Sequence, residues 1–408
     1  MTEATESDLA HPDLERRLDA LRGLLRNVPQ PDRRGTNCHV HTDHSFSVFR
    51  SASEAVWRAA QAGVDIYGIN DFFTTAGHGE FASACAAAQL PAVFSLECIA
   101  MDRELEAKRV LLNDPANPGK IYLCGKGVTE PDEPIAAREL ARLRQCQEQR
   151  NRALIANAET RFRATVAAAG PTWAEVIAQT PAGNTTERHV ARAIQRRLQA
   201  LTGDGGRTFA SLYAAVVGEA PKEHDADQQN QIRGALLKTG KPCYAPEEPT
   251  AFPAVASLRA LFLRLGAIPT YPVLGDPLTD GEQDIPGLCD RVAAWGFHAL
   301  ELIPSRNSEA RMIAVVAEAQ RRGWPVFDGT EHNTPAMEPL LTTWGLDDRF
   351  RPRFREGALV LLGHQSLTRK GAPSYLDRAG QPRPGGHAAC LSEGQRAYDA
   401  CRKRTLVG

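Results

Sequence analysis

The sequence predicts an α/β fold, a distorted (β/α)7 barrel carrying a large helical insertion. Three observations lead there. Short apolar segments alternate with helical ones over 36–130 and again over 241–370, the pattern of a largely parallel sheet with crossover helices. Between them, over 131–240, the alternation stops and every segment reads as helix. Nearly every predicted strand also ends in an acid or an imidazole, as a site built on one rim of a barrel requires.

Composition sets the outer bounds. A chain of 408 residues can bury the core of one barrel with insertions, or of two domains. With 42% hydrophobic and 24% charged residues it resembles an ordinary soluble protein. A net charge of -1 gives no global reason to expect nucleic acid as a partner. The nine cysteines are scattered without a C-x-x-C pair, which points to reduced thiols and a cytoplasmic location. No apolar run is long enough to span a membrane, and the polar, acidic segment 1–17 lacks the apolar core of a signal peptide.

Taken in order, residues 1–35 form a lead, with leucines at helical spacing over 13–26 and a proline-rich turn at 28–31. Strands are predicted at 38–42, 65–70, 92–98 and 120–124. Helices fall between them at 53–62, with Ser53 as N-cap and Gly63 as the stop, and at 79–89. The insertion reads as helices at 135–169, 173–179, 187–201, 209–217 and 228–238, separated by Gly/Pro turns such as 181–184. Strands resume at 267–273, 298–303 and 325–330, preceded by helices at 254–265, 284–295 and 308–322. A helix at 355–367 and a tail over 371–408 follow. Seven parallel-type strands suit a distorted barrel. An open doubly wound sheet is the alternative, and it too binds ligands at strand ends.

The strand ends carry the chemistry. His39 and His41 are one residue apart, so on a strand they share a face and can hold one ion. Asn70-Asp71 ends the second strand, Glu97 lies on the third, Asp276 follows the fifth, Glu301 lies on the sixth, and Glu331-His332-Asn333 ends the seventh. Core strands tolerate such groups only when they are paired or bound to a metal. A nitrogen and oxygen ligand set suits one or two divalent ions of Zn, Mn or Fe. The expected metal ligands are therefore His39, His41, Asp71, Glu97, Asp276, Glu331 and His332. Lys126, between two glycines, and Arg306 are the candidates for holding an anionic substrate. His78, Tyr122 and Tyr271 are the candidates for proton transfer.

Four stretches together resemble the motifs of the PHP (polymerase and histidinol phosphatase) superfamily. They are Asn37-Cys38-His39-Val40-His41-Thr42, Gly68-Ile69-Asn70-Asp71-Phe72, Ser95-Leu96-Glu97 and Gly329-Thr330-Glu331-His332-Asn333. The resemblance implies a distorted seven-stranded barrel with a two- or three-metal site, most often serving phosphoester hydrolysis. The chain departs from the pattern where the family has histidines: Phe72 in the second motif, Ile121-Tyr122 on the fourth strand and Tyr271-Pro272 on the fifth. The expected site is thus reduced to one or two metals.

The function expected is a metal-dependent hydrolase of a small anionic phosphoester, using a metal-activated hydroxide at the carboxyl rim. Two alternatives stay open: a metal-dependent lyase or isomerase acting on a sugar acid or polyol, and a non-catalytic, metal-stabilised binding protein.

Overall fold

The computed structural model describes residues 4–27, 31–180 and 183–403, so the expected turns at 28–31 and 181–184 lie partly outside the described residues. Seven strands succeed one another around a nearly closed barrel. They are β1 (Gly35–Val40), β2 (Val64–Phe72), β3 (Ala92–Met101), β4 (Lys120–Lys126), β5 (Ile268–Val273), β6 (Leu300–Leu302) and β7 (Val326–Asp328). Closure comes from the segment just after β7. There the amides of Thr330 and Glu331 donate to the His39 carbonyl at 3.1 and 3.0 Å, and the His41 amide donates to the Glu331 carbonyl at 2.8 Å. This seam ties the first and last predicted motifs directly to each other.

One strand departs from the expected parallel arrangement. β4 runs antiparallel to both β3 and β5, while the other pairs are parallel. The link from β3 to β4 contains only the short helix Arg103–Ala107 and returns at the same end of the sheet, with Met101 opposite Lys120. It is a long hairpin and not a crossover. Reversal turns the strand end for end: Tyr122, opposite Ile99, comes to the carboxyl rim, and Lys126, opposite Ser95, goes to depth.

Local signals place most helices. Asp13 caps the helix Leu14–Arg26 by accepting from the Arg16 amide at 3.0 Å. The helix Ala52–Ala62 starts earlier than expected. Ser51 is its cap, and Ser53 lies within it, its hydroxyl donating to Glu80 at 2.8 Å. Gly63 ends it at φ 74°, the left-handed conformation that favours glycine. Beneath the barrel runs the helix Arg351–Arg369, whose residues Ala358–Leu362 pack with Cys38, Ile66, Ile268 and Phe327. A further helix, Gly386–Lys403, occupies much of the segment expected as a tail. It packs closely on the 351–369 helix at Gly363 and Gly394, where a methyl group would strike a backbone carbonyl of the other helix.

The insertion is helical, as its composition suggests, and is dominated by the helix Pro134–Val166. Its second half has its own apolar core, including Phe162, Ile194, Leu198, Tyr213 and Ile232. The helix expected at 228–238 divides into Asp225–Ile232 and a wider π turn, Arg233–Leu237. No helix of the described residues is long and apolar enough to cross a membrane.

Candidate metal centre

His39 on β1 and His41, one residue past its end and held by the seam to Glu331, both face the barrel interior and are fully buried. Their Nε2 atoms stand 3.2 Å apart. Glu97 of β3 brings its Oε2 to 3.3 Å from His41 Nε2 and 3.9 Å from His39 Nε2. Four bonds of about 2.1 Å in tetrahedral array separate neighbouring ligand atoms by roughly 3.4 Å. The three atoms therefore have the spacing of three corners around one ion.

The outer ring nitrogens decide where the protons are. His39 Nδ1 lies 2.9 Å from Glu301 Oε2, which can only accept, so Nδ1 carries the proton. Lys126 forms a buried ion pair with the same carboxylate. Burial pushes Glu301 up, but His39 and Lys126 outweigh it and hold the carboxyl at about 2. His41 Nδ1 lies 3.1 Å from Ser45 Oγ, and that hydroxyl donates onward to Asp71 at 2.6 Å. His41 Nδ1 must therefore donate as well. Burial lowers the His41 pKa to about 4, so the ring is neutral at pH 7. Both Nε2 lone pairs thus face inward, toward a Glu97 oxygen that has no hydrogen-bond partner. Burial pushes the Glu97 carboxyl up to about 8. Without a cation the Glu97 carboxyl therefore keeps a proton at pH 7, and a divalent ion would displace that proton and draw on all three atoms as ligands.

Two more groups complete the floor. Asn70 Nδ2 lies 2.9 Å from His39 Nε2, while its Oδ1 lacks a partner. A half-turn of that amide would present an oxygen in place of the nitrogen. Cys124 sits opposite Glu97 on the β3–β4 ladder, its thiol 3.6 Å from Glu301. His39, Cys124 and Glu301 form a second cluster with metal-ligand spacing. Burial raises the Cys124 pKa, so it is a thiol here. Sequence reasoning omitted Cys124 because it took β4 as parallel. The antiparallel register sets this cysteine opposite Glu97 and in one cluster with His39.

The remaining candidates separate. Asp71 is not in the cluster. It accepts from the Thr42 amide at 2.7 Å, the Thr42 hydroxyl at 2.6 Å and Ser45, and so holds the loop that orients His41. Both ring nitrogens of His332 are engaged, Nε2 with the Glu338 carbonyl at 2.9 Å and Nδ1 with Thr330 Oγ1 at 2.7 Å. A motif-order assignment could not foresee this, because Glu331 and His332 both take left-handed φ values, 62° and 54°, which turn the His332 ring aside onto Phe49. Glu331 lines the mouth with its carboxylate on Arg306 at 2.9 Å. Asp276 is exposed at the mouth, and its carbonyl accepts from Arg306.

Lys126 is not a rim residue. It is fully buried against Glu301 and donates to the Cys38 carbonyl at 3.1 Å, a consequence of the reversal of β4. Arg306 does stand at the mouth. His78 lies apart from the cluster, bonded to the Ser95 carbonyl at 3.0 Å, and burial lowers its pKa to about 4. Tyr271 is buried on the outside of the sheet with its hydroxyl on Glu282 at 2.7 Å. Tyr122 does line the mouth, but burial raises its pKa, the reverse of what an acid catalyst needs.

Above the three donors opens a cavity of about 560 Å³, walled by the barrel rim and roofed by the insertion. Phe72, which stands where the resemblance expects a histidine, stacks on His41 with ring centroids 4.9 Å apart.

No protein-family model matches this chain, and no curated protein matches it. Solved structures do. One is a protein from Bifidobacterium adolescentis assigned as a metal-dependent phosphoesterase. It shares 18% identity at a TM-score of 0.53, over 76% of this chain and 92% of that one. Another is an amidohydrolase from Chromobacterium violaceum, solved with bound sulfate and no metal. It shares 18% identity at a TM-score of 0.51, over 75% of this chain and 92% of that one. At this identity the likeness establishes the fold: a barrel of the kind found in metal-dependent hydrolases.

Proposed function

We propose that this protein is a metal-dependent phosphoester hydrolase and a divergent relative of the PHP superfamily. The observation that carries the reading is the convergence of His39 Nε2, His41 Nε2 and Glu97 Oε2, all buried, with the Nδ1 protons of both rings directed away. Glu301 and Ser45 hold the two rings from behind, the outer hydrogen bonds that orient metal-binding imidazoles. The solved structures support a hydrolase of this type, and the sulfate in one of them is consistent with an oxyanion substrate.

His39, His41 and Glu97 would hold a divalent ion, which when bound would supply Lewis-acid charge and lower the pKa of water. The chain's own residues do the rest. Phe72 covers the His41 face and keeps bulk water from it. Arg306, anchored to Glu331 and the Asp276 carbonyl, presents its guanidinium to the cavity. Tyr122 keeps its proton and can donate a hydrogen bond to a leaving-group oxygen at the rim. The roofed cavity fits a small anionic substrate.

Elemental analysis of the purified protein, followed by a phosphate-release screen over mono- and diesters, tests the reading. The expected result is about one Zn, Mn or Fe per chain and release from at least one class of ester. Failure to bind any divalent metal would overturn the hydrolase. Metal binding without release from any ester would overturn the phosphoester substrate.

A further inference from the structure

The insertion sends four cations into the cavity, Arg150, Arg188, Arg233 and Lys238, against one carboxylate of its own, Glu187. Glu187 is committed to three of them, with Arg233 at 3.0 Å, Lys238 at 2.7 Å and Arg150 at 3.3 Å. Elsewhere at the mouth Lys120 is paired with Glu247 at 2.6 Å, and Arg306 with Glu331. Arg188 differs. Among the described residues it has no carboxylate within ion-pair distance. Its guanidinium is held by two amide oxygens, Asn230 of the insertion at 3.3 Å and Asn333 of the last motif at 3.5 Å.

We infer that Arg188 is the residue that grips the phosphoryl group of the substrate, which makes the insertion part of the active site and not merely a cover. A half-buried guanidinium in the cavity wall with no carboxylate at ion-pair distance is short of a counter-charge, and an anion entering the cavity supplies one. Burial, with Arg233 alongside, pulls the Arg188 pKa down to about 9, and the group is still charged at neutral pH. Its surroundings point the same way: the charged and titratable groups that it senses include Glu331 and Tyr122 at the rim, and its charge is felt at His41. The side chain is aimed before substrate arrives, since it spans from the first turn of the helix Glu187–Ala200 to the loop after β7. A planar fork so placed can offer two parallel hydrogen bonds to an oxyanion.

This inference rests on the hydrolase reading of the same cavity, so the test is binding and not turnover. Inorganic phosphate is titrated calorimetrically into the full-length protein, metal-free and metal-loaded, for wild type, Arg188→Gln, Arg188→Lys and Arg152→Gln. Arg152 is a control on the exposed face of the insertion, paired with Glu148. Arg188→Gln is expected to weaken phosphate binding roughly 10- to 100-fold in both forms, as loss of a charged hydrogen bond does. Arg188→Lys should fall between, and Arg152→Gln should match wild type. A thermal melt of each variant separates loss of binding from loss of fold. Unchanged phosphate affinity in a folded Arg188→Gln, or no phosphate binding by wild type, would overturn the assignment. If phosphate binding depends on Arg188 while no phosphoester is cleaved, the hydrolase reading falls and this one stands.

Discussion

Glu301 reaches across the barrel from β6 and accepts a hydrogen bond from His39 Nδ1–H at 2.9 Å, and Lys126 neutralises the same carboxylate from β4. One buried carboxylate thereby sets the tautomer of the first histidine. Replacing it with Gln should weaken divalent metal binding by about 10- to 100-fold, as loss of an outer-sphere carboxylate does. Metal titration of folded Glu301→Gln checks this, and wild-type affinity would show that His39 needs no such partner.

Lys126 should behave as a structural residue. Lys126→Met leaves the buried Glu301 carboxylate without its ammonium, a change expected to cost about 3–5 kcal/mol. Denaturant unfolding measures the loss. If stability were unchanged while phosphate binding fell, Lys126 would instead be in contact with the substrate.

The metal should be linked to stability through Glu97. A ligand at a hundred times its Kd stabilises the native state by about 3 kcal/mol, so chelation should lower the Tm of the wild type. Glu97→Gln removes one donor from the cluster but breaks no hydrogen bond at Oε2, which has none. Its Tm should therefore be insensitive to added metal. A metal-dependent rise as large as that of the wild type would remove Glu97 from the ligand set.

Asp71 and His332 should part company. Asp71→Ala frees Thr42 and Ser45, which support His41, and is expected to reduce metal affinity roughly ten-fold. His332→Ala removes contacts to Thr330, the Glu338 carbonyl and the Phe49 ring, none of them in the cluster, and should leave metal stoichiometry at the wild-type value. The reverse pattern in a metal assay would restore His332 as a ligand.

Acid should loosen the roof. Burial raises the Glu187 pKa, but Arg233, Lys238 and Arg150 outweigh it and bring the carboxyl to about 2. A carboxyl whose pKa is lowered on folding contributes stability above its unfolded value of about 4.3 and loses it as pH falls toward 2. The contribution is on the order of 2–3 kcal/mol. Glu187→Gln should flatten stability between pH 5 and about 2 relative to the wild type, as measured by unfolding across that range. Parallel curves would show that the three cations do not stabilise the charge.

Much of the barrel was legible because short apolar strands and capped helices with regularly spaced apolar residues are local features. The H-x-H pair was legible for the same reason: strand geometry alone places His39 and His41 on one face. Glu97 was named from its strand end, and the structure brings it to that pair.

The sequence by itself determined the alternation of strand and helix, the helical character of the insertion and the strand ends at which acids and imidazoles stand. Tertiary structure alone decided the direction of β4, and with it that Cys124 joins the floor, Tyr122 the rim and Lys126 the interior. It also decided that the amides after β7 seal onto β1 in left-handed backbone that turns His332 away, and that Glu187 pairs with three other cations while Arg188 has no carboxylate at ion-pair distance among the described residues. The reason is common to all of these. Strand direction, proton position and charge pairing depend on which residues meet across the fold, and sequence spacing records only which ones are neighbours along the chain.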